Sequence, residues 1–341
     1  MEISINQLII HELIKSPEDT EAEVFLTENC QPISEQAEDL VTRLNATFEQ
    51  KEDVLHGYLS PPEDALFPGF FQNWLEGAQM EADFVEFSKN TMNALQLAIQ
   101  DVIGAKGGYL VYADYYHFES RILGLFLVRD TDGIVFKKRE EQQAFDLETT
   151  TFLNTDKLAM ACRIHIDRSK SGQGRFVELI KHAKSQKEIS EYFLNWVGLE
   201  QPESSKELTH TFLEVVSQLP LPKDEESGEV VQEGEFREQV LNFAMRNPQK
   251  TISIAAFDEE FYGEEKTTQQ FLENNEIPLD QEFRFDRSTM KKFFNFRLSA
   301  EGISLTFNRN DYLGNKVIID GDNIVINSSE MVEKLREMLE E

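Results

Sequence analysis

Eight basic side chains fall within 157–187: Lys157, Arg163, Arg168, Lys170, Arg175, Lys181, Lys184 and Lys187. Only Asp167 and Glu178 oppose them, a local excess of six positive charges in a chain whose net charge is −30. Lys and Arg at this density suit phosphate, where they replace the counterions of a nucleic-acid backbone, or an acidic segment of another protein. The run Arg168-Ser-Lys-Ser-Gly-Gln-Gly-Arg175 is its most pointed part. Gly172 and Gly174 let backbone N–H groups approach a phosphate, while Arg168, Lys170 and Arg175 neutralise its charge. The competing reading is a solvated loop whose cations pair with acidic flanks, within the chain or across a dimer. A milder basic stretch at 283–316 holds Arg284, Arg287, Lys291, Lys292, Arg297, Arg309 and Lys316 against Asp286, Glu301 and Asp311.

Other chemistries find less support. The chain has no GxxxxGK phosphate loop, GxGxxG, HExxH or GxSxG. Its six histidines show no ligand spacing, and its two cysteines, Cys30 and Cys162, form no CxxC. Ser288-Thr-Met-Lys291 matches SxxK without the companion motifs, as a four-residue pattern does by accident. Asp114, Glu119, Asp130, Asp167 and Lys170 lie near strand-like segments and form the material for a metal-dependent nuclease, one alternative reading. Among 63 carboxylates such neighbours arise by chance. No catalytic residue, metal ligand or cofactor is expected.

The total charge sets a boundary on all of this. A body at −30 repels a polyanion, so uniform coating of nucleic acid is excluded and any contact with DNA must be local or through a partner. Hydrophobic residues at 40%, with 26 Phe, argue against wholesale disorder. Two cysteines rule out a disulfide-stapled scaffold. The opening lacks a basic, then apolar, leader pattern, and no run is apolar enough to span a membrane, so a reducing cytoplasm is expected.

The elements that must carry the basic run are readable from periodicity. The opening 3–11 alternates and then turns apolar, as a strand does. Residues 34–56 repeat apolar positions at three and four behind Ser34, predicting a capped helix. Pro61-Pro62 and Pro68-Gly69 predict a bracketed loop, followed by a long helical region from about Phe70 to Val102. Strands are expected at 109–113, 121–128, 134–136 and 158–166, with Asp130-Thr-Asp-Gly133 as a hairpin turn. Alternation places Arg163 and His165 on one face of the last of these. Residues 175–196 read as helix or strand-to-helix ended by Gly198. Helices follow at about 204–218, 235–246 and 267–274, with 283–285 a strand. Asp286-Arg-Ser-Thr289 reads as a helix start capped by Asp286 or Ser288. Strands at 303–307, 316–319 and 323–326 predict a β-meander before a helix from Ser328-Ser329.

The expected fold is α+β: a helical N-terminal half around a central antiparallel or mixed sheet, and a smaller C-terminal β-meander with a terminal helix. The expected division is a main domain at 1–220, an acidic linker or loop at 221–234, and a C-terminal domain at 235–341.

Two blocks in this order resemble a known family. One is Cys162-Arg-Ile-His-Ile-Asp-Arg168, continued through Arg175-Phe-Val-Glu-Leu-Ile-Lys181 and Ile189 to Gly198. The other is Phe283-Arg-Phe-Asp-Arg-Ser-Thr289, followed by Gly302 to Phe307 and Leu313-Gly-Asn-Lys316. With Ile5 to His11 and Gly108-Tyr-Leu-Val, they resemble the bacterial 37-kDa nucleoid-associated (NdpA) family over essentially the whole chain. Lys181-His182, where relatives carry Lys-Gly, and Arg297 to Gly302 depart from its pattern.

The resemblance implies association with the nucleoid in a bacterial cytoplasm and no known reaction or cofactor. Its landmarks here are Arg163, Asp167, Phe176, Lys181, Tyr192, Phe193 and Gly198, then Asp286, Arg287, Ser288, Thr289, Phe307 and Gly314. Taken with the charge pattern, it gives a non-enzymatic nucleoid-associated protein with Arg163, Arg168, Lys170, Arg175, Lys181, Lys184, Lys187 and Arg287 as candidate nucleic-acid contacts. The candidate partners are double-stranded DNA, a nucleoid protein and a second copy of the chain, with no membrane. The rival from another class is an acidic scaffold or adaptor that does not touch nucleic acid.

Overall fold

In the computed structural model, residues 3–139, 144–172, 174–180, 187–223, 228–300, 302–308, 311–312 and 314–340 are described. The chain forms two compact units, Met1–Ser205 and Lys206–Glu341.

The first unit is built on one eight-stranded sheet. Its strands are β1 (Ile3–Ile14), β2 (Glu23–Phe25), β3 (Val54–Leu59), β4 (Gly108–His117), β5 (Ser120–Arg139), β6 (Ala144–His165), β7 (Val177–Ile180) and β8 (Leu199–Ser204), in the order β2-β1-β4-β5-β6-β7-β3-β8. Every pairing is antiparallel. Helix α1 (Glu35–Gln50) covers one face, against Val111, Ala113, Tyr115, Phe126 and Ala161. Helices α2 (Leu66–Glu76), α3 (Glu81–Ile99) and α5 (Lys187–Val197) cover the other, against Leu110, Tyr112, Leu123, Leu125 and Cys162. Helices on both faces explain why β4 and the first half of β5 read as nearly continuous apolar runs. Much of the Phe content lies on the second face, where the Phe87 ring meets those of Phe67, Phe71, Trp74, Phe84 and Tyr112.

Three local expectations change: the helix read over 34–56 ends at Gln50, and Val54–Leu59 is the strand β3. The helical region from Phe70 is two helices, and Pro68 lies in the first turn of α2, where its missing N–H costs nothing. The break falls at Gly77 and Gln79, the latter at φ 55°, and α3 restarts with the Asp83 carboxylate accepting from the Met80 N–H at 3.0 Å. Likewise Asp130-Thr-Asp-Gly133 is not a turn. Past a shift of register between Val128 and Asp130, where β6 carries the extra residues, β5 runs on, with Asp130 opposite Leu153 and Gly133 opposite Thr150. Gly133 serves packing: a Cβ there would lie 2.4 Å from the Phe152 ring, which covers the glycine from the neighbouring strand. The hairpin connection, 140–143, lies outside the described residues.

The second unit gathers α6 (Ser205–Gln218), α7 (Glu233–Arg246), α8 (Ile254–Tyr262), α9 (Thr267–Asn274) and α10 (Arg287–Phe294) with the pair β9 (Thr251–Ser253) and β10 (Glu282–Arg284). Its core includes Leu208, Phe212, Val240, Phe257, Phe283 and Met290. This corrects the expected boundary. Leu208, Phe212 and Val216 of α6 pack in the second core, so the division falls at Ser205/Lys206 and not at 221–234. Leu219 and Val231 join that core too, and Lys223 bridges to Val230; residues 224–227 lie outside the described residues. The C-terminal strands form two hairpins rather than one meander: β11 (Asn295–Ala300) with β12 (Ile303–Asn308), and β13 (Val317–Asp320) with β14 (Asn323–Ile326). The last helix is α11 (Ser329–Glu340). Among the described residues no helix is long and apolar enough to cross a membrane.

Candidate nucleic-acid interface

The basic run sits on three consecutive pieces. β6 ends at His165, a short helix α4 (Ile166–Ser171) follows, and the chain returns as β7. The return is tight, with the His165 N–H donating to the Phe176 carbonyl at 2.8 Å. Gly172 and Gly174, at φ 66° and 63°, turn the chain back through left-handed conformations that favour glycine. α4 and its return loop therefore stand at one end of the β6–β7 pair.

The antiparallel register puts Arg163 opposite Glu178, and both side chains are buried. Arg163 Nε and Nη2 donate to Glu178 Oε2 at 2.9 and 2.5 Å. Nη1 donates to Asn45 Oδ1 at 2.8 Å and Glu49 Oε1 at 3.2 Å, both on α1, and the guanidinium lies 4.2 Å over the Phe48 ring. Three histidines complete the cluster. His165 Nε2 and His56 Nδ1 lie 3.4 and 3.8 Å from Glu178, and His117 Nδ1 lies 3.5 Å from Glu49. Burial alone would raise the Glu178 pKa; Arg163, His165 and His56 outweigh it and hold the carboxyl well below its ordinary value. Arg163, despite its burial, is held charged by Glu178, Tyr115 and Glu49.

Arg175 is consumed in a similar way. It is buried, its Nη2 pairs with Glu203, its Nε donates to the Gln201 carbonyl at 3.4 Å, and its guanidinium lies over Tyr58. The pairing reading thus holds for Arg163 and Arg175: neither guanidinium faces solvent, and both fasten strands together. Of the other described cations of the run, Lys157 on β6 and Lys170 on α4 are exposed, and Arg168 beside Lys170 is half-buried. Lys181 and Lys184 lie outside the described residues, as does the side chain of Lys187, the first residue of α5. Arg287 belongs to the second unit, where it is exposed at the first position of α10. Lys291 and Lys292 are exposed in the last turn of that helix.

Two of the carboxylates named for a nuclease centre, Asp114 and Asp167, are engaged otherwise. Asp114 is buried and takes a two-point pair from Arg121, Nε–Oδ1 2.9 Å and Nη2–Oδ2 2.7 Å. Asp167 accepts the Arg121 backbone N–H at 3.2 Å. Among the described residues no group of three or more His, Cys, Asp or Glu side chains is placed to hold a metal ion.

With this geometry in hand, comparison with known proteins decides the family. The family model for nucleoid-associated protein YejK matches residues 9–334. The chain belongs to that family. A nucleoid-associated protein of Pseudomonas paraeruginosa is 23% identical over 98% of this chain and 96% of its own length. Those of Azotobacter vinelandii and Pseudomonas putida are each 24% identical, over 98% and 93% of this chain and 97% and 92% of their own lengths.

In this member of the YejK family, several landmark positions have structural duties. Tyr192 and Phe193 fill the core. Gly198 ends α5 at φ 69°, where a Cβ would lie 2.6 Å from Ser60 Oγ. Asp286 caps α10 by accepting the Thr289 N–H at 2.7 Å, which settles the choice between Asp286 and Ser288. What sequence reasoning missed is the cluster around Glu178. His56, His117 and the α1 pair Asn45 and Glu49 come from three separate elements, and the one signal available was the shared face of Arg163 and His165.

Proposed function

We propose that the protein is a non-enzymatic nucleoid-associated protein of the bacterial cytoplasm that works as a homodimer and meets double-stranded DNA directly at a small basic site on α4. The observation that carries this is the division of labour within the basic run. Arg163 and Arg175 brace the sheet from inside, while Lys170 is exposed, and Arg168 half-buried, on a helix–loop turn with two left-handed glycines. A site of this size on a body at −30 suits few phosphate contacts and strong dependence on salt. Arg287, Lys291 and Lys292 form a second exposed group, on the other unit, available to the same ligand or to an acidic segment of a nucleoid protein.

The test is anisotropy of a labelled duplex titrated at several salt concentrations. Arg168→Ala with Lys170→Ala should weaken binding and flatten the log–log salt dependence by about two units, one for each phosphate no longer neutralised. Unchanged affinity and slope would remove α4 from the interface. The inward placement of Arg163 and Arg175 favours one second reading, an acidic adaptor reaching the nucleoid through another protein. That reading predicts no salt-dependent binding of the duplex by the wild type.

A further inference from the structure

Among the described residues β14 pairs with β13 alone, and every residue from Asn323 to Asn327 is exposed. The outer strands of the eight-stranded sheet are protected: β2 is three residues long, and β8 contains Pro202 beside Gln201 at φ 47°. β14, Asn-Ile-Val-Ile, has no charge, no proline and no bulge. Directly opposed residues of an antiparallel pair share a face, so Val317, Ile319, Ile324 and Ile326 make one side of the hairpin wholly aliphatic. A two-stranded ribbon of this kind needs further strands for stability. One bond fixes which way its backbone points. The Asn327 N–H donates across the pair to the Lys316 carbonyl at 2.7 Å. Alternate residues point alike, so Asn323 and Val325 also turn to β13, and the N–H and C=O groups of Ile324 and Ile326 point outward.

We infer that β14 pairs antiparallel with β14 of a second copy about a two-fold axis at Val325, completing a four-stranded sheet. The segment reads the same in both directions, Asn323-Ile-Val-Ile-Asn327. Reversal about Val325 sets Ile324 opposite the partner copy's Ile326, and the outward groups of these residues exchange N–H···O=C bonds on both sides of the axis. A copy laid parallel along the same edge brings the two acidic turns, Asp320-Gly-Asp322, side by side and sets the aliphatic side of one hairpin beside the polar side of the other. The reversed copy sends those turns to opposite ends and joins the aliphatic sides into one face. α11 starts two residues after β14 and exposes Val332, Leu335 and Leu339 at helical spacing, the second layer that such a face requires. β12 is also uncharged, but its Leu305 and Phe307 are half-buried, and reversal about Leu305 sets Ile303 against the larger Phe307.

This inference rests on the homodimer reading above, and sedimentation and crosslinking of the full chain separate the two. Wild type should shift from monomer to dimer between about 1 and 200 μM, because so short a contact is small. Ile326→Pro removes an outward N–H and keeps the bonds to β13, so it should remain monomeric with unchanged circular dichroism, while Ile326→Val should dimerise as wild type does. Val325→Cys lies on the axis in a non-hydrogen-bonded pair, with Cα atoms about 4.5 Å apart, and should form a disulfide-linked dimer on mild oxidation, above the wild-type background. Asn323→Cys, about 13 Å from its counterpart, should not. A wild-type dimer that survives Ile326→Pro, or that gives no crosslink at Val325→Cys, would overturn the β14 pairing and leave the homodimer standing. Equal crosslinking at 323 and 325 would overturn the register. A wild type monomeric throughout would overturn both readings and leave the edge to a strand of another protein.

Discussion

Arg163 and Glu178 sit opposite each other across the β6–β7 pair, joined by hydrogen bonds of 2.9 and 2.5 Å in the interior of the first unit. A pair this buried contributes little net energy when whole, because desolvation of both charges offsets their attraction. Breaking it is another matter. Arg163→Leu leaves Glu178 buried without its principal counter-charge and should cost about 3–5 kcal/mol of stability. Urea unfolding is the measurement. Where the variant is folded, its affinity for duplex DNA should equal that of wild type, because Arg163 does not reach the surface. Lost affinity with intact stability would contradict the geometry.

Arg175 and Lys170 make an opposed pair of predictions from the same loop. Arg175 joins the approach to β7 to β8 through Glu203 and Gln201, so Arg175→Ala should lower stability by about 2–4 kcal/mol and leave the salt slope of DNA binding unchanged. Lys170 is exposed on α4, so Lys170→Ala should change stability by less than about 0.5 kcal/mol and lower the salt slope by about one. Measuring both quantities on both variants decides whether the two neighbours divide the work in this way.

How far the residues themselves announced the structure depends on the range of the interaction that decides each element. β1, α1, β4, α6 and α11 follow local apolar periodicity and could be read directly. The shared face of Arg163 and His165 was also legible, since it needs only the alternation of one strand. Their common partner was not. Glu178 reaches them through the register of β7, and Asn45 and Glu49 through the packing of α1, which no spacing along the chain encodes. The turn signal at 130–133 failed for a related reason. Asp, Thr, Asp and Gly favour a turn by themselves, but the ladder to β6 and the Phe152 ring over Gly133 hold them extended. The candidate site divided the same way. Charge density located the basic run, but only burial shows which of its cations brace the fold.

The start of α10 gives a prediction within the second unit. Asp286 accepts the Thr289 N–H at 2.7 Å, and its own N–H donates to Thr209 Oγ1 on α6 at 2.8 Å. Asp286→Ala removes the side-chain cap and keeps the backbone bond, and should destabilise by about 1–2 kcal/mol. Asp286→Asn, which still accepts from the helix, should recover most of that. Equal losses for Ala and Asn in thermal unfolding would mean that the carboxylate charge, and not the capping hydrogen bond, matters there.

His11 supplies the clearest dependence on pH. Its Nδ1 accepts the Thr27 backbone N–H at 3.1 Å, so that nitrogen carries no proton. Nε2 therefore carries it and donates to Ser88 Oγ at 2.9 Å, whose own hydrogen goes to the Val85 carbonyl. The ring is neutral, and protonating Nδ1 would set a proton against the Thr27 N–H. Burial, with a smaller contribution from Lys89, lowers the His11 pKa from 6.5 to about 4. The unfolded chain thus takes up a proton in a range where the folded chain does not. The stability that His11 contributes is complete above pH 6.5, falls as pH drops from 6.5 towards 4, and then levels off. The loss should be about 2 kcal/mol once solvent screening is allowed for. Glu178, held well below its ordinary pKa, stays ionised over most of this window and shifts its own loss to lower pH. Urea midpoints between about pH 7 and 4 should therefore fall more steeply for wild type than for His11→Gln, which keeps hydrogen-bonding groups at the site and cannot titrate. Parallel curves for the two proteins would show that the acid sensitivity of the first unit arises elsewhere.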